Sequence, residues 1–126
     1  MATLITDGDA LVVRLSALER LTAFRGDVRV PLSAITSVEV ERDPFGALRG
    51  IRAPGTGWPG VIAYGVRRYS GGQDFAAVLS KRPALRIDLD DSSPFGRLLV
   101  SIDDPQAWVN MIRDAAQAAR ARTPGA

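Results

Sequence analysis

Seven short strand-like segments carry the chain as far as Ile102, and a single amphipathic helix follows them. A run of meandering strands closed by one helix describes a small, capped all-β module, a class that binds more often than it transforms. Period-two alternation of apolar and polar residues places the strands at Ala2–Thr6, Ala10–Leu15, Ile35–Arg42, Val61–Tyr69, Asp74–Ser80, Ala84–Asp90 and Arg97–Ile102. The alternation is clearest where Leu85, Ile87 and Leu89 interleave with Arg86, Asp88 and Asp90, and where Val38 and Val40 oppose Ser37, Glu39 and Glu41. Val28–Leu32 reads as a further extended stretch, and Pro31 suits it to a sheet edge because proline donates no ladder bond.

Turn and cap residues punctuate these segments. Asp7-Gly8 predicts a two-residue hairpin turn of type I′. Ser16 and Glu19 have capping-box spacing, which starts a short helix after the second strand that Gly26 ends. Ser70-Gly71-Gly72 and Lys81-Arg82-Pro83 read as reversals that join the later strands as hairpins. Asp104-Pro105 starts the closing helix, with aspartate as the cap and proline at the first helical position. Its buried stripe is read as Trp108, Ile112 and Ala115 or Ala116 with Met111 beside it, while Arg113, Arg120 and Arg122 lie outside or near the C-terminus. Residues 122–126 are expected to fray. The stretch from Asp43 to Gly60 is irregular and rich in glycine and proline, yet Phe45 and Trp58 give it apolar weight. A segment of that length is functional, disordered or hiding a short element, and its apolar residues argue against disorder.

Composition narrows the chemistry. The 126 residues fit one domain with one core. There is no cysteine and no histidine, which removes disulfides, thiol nucleophiles, Cys/His zinc sites and histidine-based acid–base catalysis. No catalytic residue, metal or cofactor is predicted. Sixteen cationic residues against 14 carboxylates leave a net charge of only +2, so the balance does not call for nucleic acid as a partner. The absence of a leader-like N-terminus and of a long apolar stretch predicts a cytoplasmic protein.

The order of strands, long interruption, three more strands and closing helix resembles the bacterial pleckstrin homology (PH)-like families. Two motifs carry the resemblance. Val30-Pro31-Leu32-Ser33-Ala34-Ile35-Thr36-Ser37-Val38-Glu39-Val40 is similar to their P-x-x-x-I-x-x-V third strand, and Val100-Ser101-Ile102-Asp103-Asp104-Pro105-Gln106-Ala107-Trp108 is similar to their strand-to-helix junction. The resemblance implies a mainly β fold: a partly open seven-stranded barrel of two antiparallel sheets, with the C-terminal helix plugging one end through Trp108 and Ile112. It implies a binding scaffold and not an enzyme. The family's phosphoinositide site needs cations around the first hairpin, whereas Thr6-Asp7-Gly8-Asp9 is acidic, which argues against that ligand.

Two surfaces are candidates for contact. Phe45, Trp58 and Pro59 on the long stretch offer an aromatic anchor for a protein partner or for self-association, weighed against Trp58 folding over its own barrel edge. Arg67, Arg68, Lys81, Arg82 and Arg86 come from strands expected to be adjacent and offer an anion or lipid patch, with a location peripheral to the inner face of the membrane. Against that patch stands an ordinary solvated face in which Asp74, Asp88 and Asp90 balance the arginines. The glycines of Ala53–Gly60 precede a strand and no P-loop lysine follows, so they do not cradle phosphate. Asp88, Asp90 and Asp91 lack the loop geometry of a calcium site. The expected function is a non-enzymatic interaction module, with an anionic membrane-surface binder as the alternative and a small enzyme using Asp, Tyr69 or Lys81 behind both.

Overall fold

The computed structural model describes residues 3–14, 28–43, 51–52, 57–58, 62–69, 72–79 and 82–121. Within them lie ten strands: β1 Thr3–Asp7, β2 Ala10–Arg14, β3 Val28–Pro31, β4 Ile35–Glu41, β5 Ile51–Arg52, β6 Gly57–Trp58, β7 Ile62–Tyr69, β8 Gly72–Leu79, β9 Ala84–Leu89 and β10 Arg97–Ser101. One α-helix, α1, spans Pro105–Ala121. The helix expected over residues 16–26 lies outside the described residues. Two of the strands, β5 and β6, arise inside the irregular stretch, where each pairs antiparallel with β7.

Two sheets form. The smaller has the order β1-β2-β3, and the larger runs β4-β9-β10-β8-β7-β5 with β6 also on β7. Among the described residues neither sheet closes on itself, so the molecule is mainly β with a C-terminal helix and no closed barrel. The first hairpin forms as expected, but Asp7 pairs with Ala10, which makes Gly8 and Asp9 the central residues. Gly8 alone has positive φ (60°), the type II′ arrangement with glycine first and not the type I′ turn anticipated.

One pairing departs from an antiparallel meander. Strand β10 lies between β8 and β9, antiparallel to β9 and parallel to β8. The reversal at Lys81-Arg82-Pro83 therefore joins strands two spacings apart, about 9.6 Å, a span that a four-residue connection covers. The physical reason lies in Leu98-Leu99-Val100, all buried. A strand apolar on both faces belongs in a sheet interior, while β9, with Arg86 and Asp88 on one face, tolerates a place nearer the edge.

The core joins both sheets to the helix. Leu4, Leu11, Val13, Val28 and Val30 of the small sheet meet Val38, Phe75, Ile87, Leu98 and Val100 of the large one, with Val109, Ile112, Ala116 and Ala119 of α1. Phe95 in the β9–β10 turn packs edge-on against Phe75, ring centres 6.0 Å apart. A β-bulge at Thr36 explains how Ile35 and Val38, three residues apart, both reach this core: Ile35 faces Leu89 and Ser37 faces Asp88, so the strand changes phase between them. On the other face of the large sheet, Ala76, Val78, Ala84 and Leu99 form a second, small buried cluster.

The helix buries Ile112 and Ala116 as expected, but Val109 takes the inward place expected of Trp108. Val109, Ile112, Ala116 and Ala119 are its buried stripe, Trp108 and Ala115 pack at the margin, and Met111 is 52 % exposed. Asp104 does precede the helix at Pro105, yet its φ of 52° is left-handed, unlike the extended backbone of an ordinary N-cap. Aspartate tolerates that conformation better than most residues.

Candidate functional site

A concavity among the described residues forms where an edge strand meets the helix. Strand β4 pairs on one side with β9, and on the other it runs beside α1. Two arginines span the gap. Arg113 Nη2 donates to the Val38 carbonyl at 3.0 Å. Arg120 donates from Nε to the Ser33 carbonyl at 3.3 Å and from Nη2 to the Ile35 carbonyl. Seven helical residues rise about 10.5 Å, and three strand residues about 10 Å, so the two spacings match. Because Arg113 meets Val38 and Arg120 meets Ile35, helix and strand run antiparallel. Between them lies a groove of about 430 Å³ lined by Thr36, Ser37, Val38, Arg113, Gln117 and Arg120, among others.

The lining is chemically mixed. The helix contributes Arg113, Arg120 and Asp114, and Thr36, Ser37 and Gln117 add neutral donors and acceptors. Thr36 Oγ1 donates to the Asp88 carbonyl at 3.1 Å, which steadies the bulge at one side of the groove. Asp90, beyond the end of β9, accepts from Ser92 Oγ at 2.6 Å and from Ser92 N at 2.9 Å. These bonds, followed by the field of Arg120, hold its carboxyl below the usual carboxylate value.

Of the predicted patch, Arg86 and Arg67 do not lie side by side. Arg86 stands on β9, three strands from β7, about 14 Å by strand spacing. Its guanidinium is engaged by Glu39 at 2.6 Å and Glu41 at 3.1 Å, with Asp88 3.4 Å from Nε. Asp88 in turn pairs with Arg97 at 2.7 Å. Arg67 is half-buried on β7, in register with Asp74 and Arg52, while Arg68 is in register with Gln73 and Ile51. Arg82 is exposed just ahead of β9. Lys81 lies outside the described residues, as do Phe45 and Pro59. Trp58 is in β6, paired with Ile62 at the margin of the large sheet.

Of the balancing carboxylates, Asp90 is exposed and Asp88 half-buried, but Asp74 is not part of a solvated face. Asp74 is only 2 % exposed, and the register sets it between Arg67 and Arg97. A rung of alternating charge therefore crosses the sheet from Asp88 through Arg97 and Asp74 to Arg67. Adjacent opposite charges favour this register. Nε of Arg86 is buried without a hydrogen-bond partner, so this network is held by charge more than by ideal geometry.

Sequence reasoning placed Arg113 and Arg120 outside, as complements to the helix dipole, and missed their role against β4. The usable signal was their seven-residue spacing beside the stripe Ile112–Ala116–Ala119. Compared with known proteins, the chain matches no family model, no curated protein and no solved structure.

Proposed function

We propose that this chain is a non-enzymatic interaction module of PH-like plan, and that it holds an extended segment of a protein partner in the groove between β4 and α1. The groove itself carries the reading. An edge strand and a helix flank a polar trough, with guanidinium groups at both ends suited to backbone carbonyls and carboxylates. Each guanidinium has five N–H donors, and the contacts to the Ser33, Ile35 and Val38 carbonyls use only one on Arg113 and two on Arg120. The PH-like plan is supported by the run of strands followed by one helix that packs on them; the parallel β8–β10 pair is a departure from it. Arg86, three strands from Arg67 and engaged by Glu39 and Glu41, lends no support to a membrane-surface reading.

Selection of peptides from a random displayed library tests the proposal. Selected peptides are expected to shift the backbone amides of Thr36–Val38 and Arg113–Arg120 in NMR spectra. Gln117→Trp, which fills the trough, is expected to weaken them at least about tenfold, the loss of one good contact. Failure to select any binder, or binders that map elsewhere and ignore Gln117→Trp, would overturn it.

A further inference from the structure

We infer that the molecule self-associates by antiparallel pairing of β1 with β1 of a second copy, at a surface separate from the groove. Every sheet edge presents unpaired backbone groups that recruit strands unless something blunts them. Among the described residues the two sheets end at four places. Strand β4 is covered by α1 and its two arginines. Strands β5 and β6 are two residues each, too short to template a partner. Strand β3 carries Arg29 and ends in Pro31, which has no N–H to give. Strand β1 has none of these devices. Its sequence Thr3-Leu4-Ile5-Thr6 is uncharged, rich in β-branched residues and free of proline, and its one charge stands at the last position, Asp7.

Ile5 marks the contact. It is 40 % exposed, one of two large apolar side chains so exposed among the described residues, and the other, Met111, is on α1. In β1 the odd residues share the outer face while Leu4 enters the core. A two-fold axis perpendicular to the sheet keeps faces matched, so odd residues must oppose odd residues. The register that uses all five residues sets Ile5 against Ile5 of the partner and Thr3 against its Asp7.

Charge favours that register. Arg14 on β2 is the cross-strand partner of Thr3. In the dimer it stands two strand spacings, about 9.6 Å, from the partner's Asp7. The chain already bridges such a span: Arg29 on β3 reaches across β2 to Asp7 on β1 at 2.7 Å. The Asp7 side chain remains 61 % exposed with that bond made, which leaves room for a second cation. Each copy supplies both partners, so the contact occurs twice. A five-residue edge buries little area, which sets the dimer at the weak end, with Kd on the order of 10–1000 μM.

Sedimentation equilibrium on the full chain from micromolar to millimolar concentration tests this, together with cysteine cross-linking. Because the chain has no native cysteine, Ile5→Cys is a clean probe. Residues opposed across antiparallel strands lie about 4.5–5.5 Å apart at Cα, within disulfide reach. The expected results are a monomer–dimer equilibrium, rapid disulfide formation by Ile5→Cys under mild oxidant, and none by Met111→Cys. Ile5→Lys, and independently Thr3→Lys, are expected to raise Kd at least about tenfold by placing like charges at the junction. A strict monomer at millimolar concentration overturns the inference. So does a dimer that survives both lysine variants, or one in which Met111→Cys cross-links as fast as Ile5→Cys. Peptide binding at Gln117 is read out separately, so either surface can fail alone.

Discussion

Asp90 shows how one exposed residue couples the fold to pH. Its carboxylate accepts both a side-chain and a backbone hydrogen bond from Ser92, and these stabilise the charged form. The folded value therefore lies below the ordinary 3.8. A depressed acid stabilises the fold above its unfolded value and loses that contribution as pH falls through the folded one. Asp90→Asn is thus expected to be less stable than the parent at pH 6, with the gap narrowing below about pH 3.8; urea midpoints across pH 6 to 3 measure it. Asp74 is a residue whose identity was plain and whose burial was not. Alternation marks it as opposite to Phe75, but only the sheet order that lays β10 and β7 on either side of it makes that face an interior.

Between β4 and α1 the same few residues shape the strand, cover its edge and line the trough. The bulge at Thr36 turns Ile35 and Val38 to one side, and Arg113 and Arg120 then meet the carbonyls of those two residues. Arg113→Ala and Arg120→Ala are each expected to lower stability by about 1 kcal/mol, a value typical of hydrogen bonds discounted here for exposure. The two effects should be nearly additive, since the carbonyls they meet are about 10 Å apart. Urea denaturation of the single and double variants checks this. These contacts were not legible in the sequence, because a helix reading fixes a residue's angle about the axis and says nothing about which strand lies beside it. The strands were legible, but the change of phase between Ile35 and Val38 was not, because regular alternation gives no sign of a bulge.

For the whole molecule, stability rests on the core shared by two sheets and one helix. Ile112 is 1 % exposed at its centre, and Met111 beside it faces water. Ile112→Ala is expected to cost about 2–5 kcal/mol and Met111→Ala less than about 0.5 kcal/mol, measured by chemical denaturation. Equal losses would mean that Met111 is as buried as Ile112. Local chemistry alone determined the mainly β class, the first hairpin, the alternation of β9 and the start of α1 at Pro105. Each of these depends on neighbours within a few residues, through side-chain periodicity, positive φ at glycine or the missing N–H of proline. The tertiary structure alone decided that β10 enters between β8 and β9, that Arg86 pairs with β4, and that two helix arginines cover an edge. Those outcomes compare contacts between segments far apart in sequence. Their choice turns on which arrangement buries Leu98-Leu99-Val100 on both faces and leaves Asp74 between opposite charges.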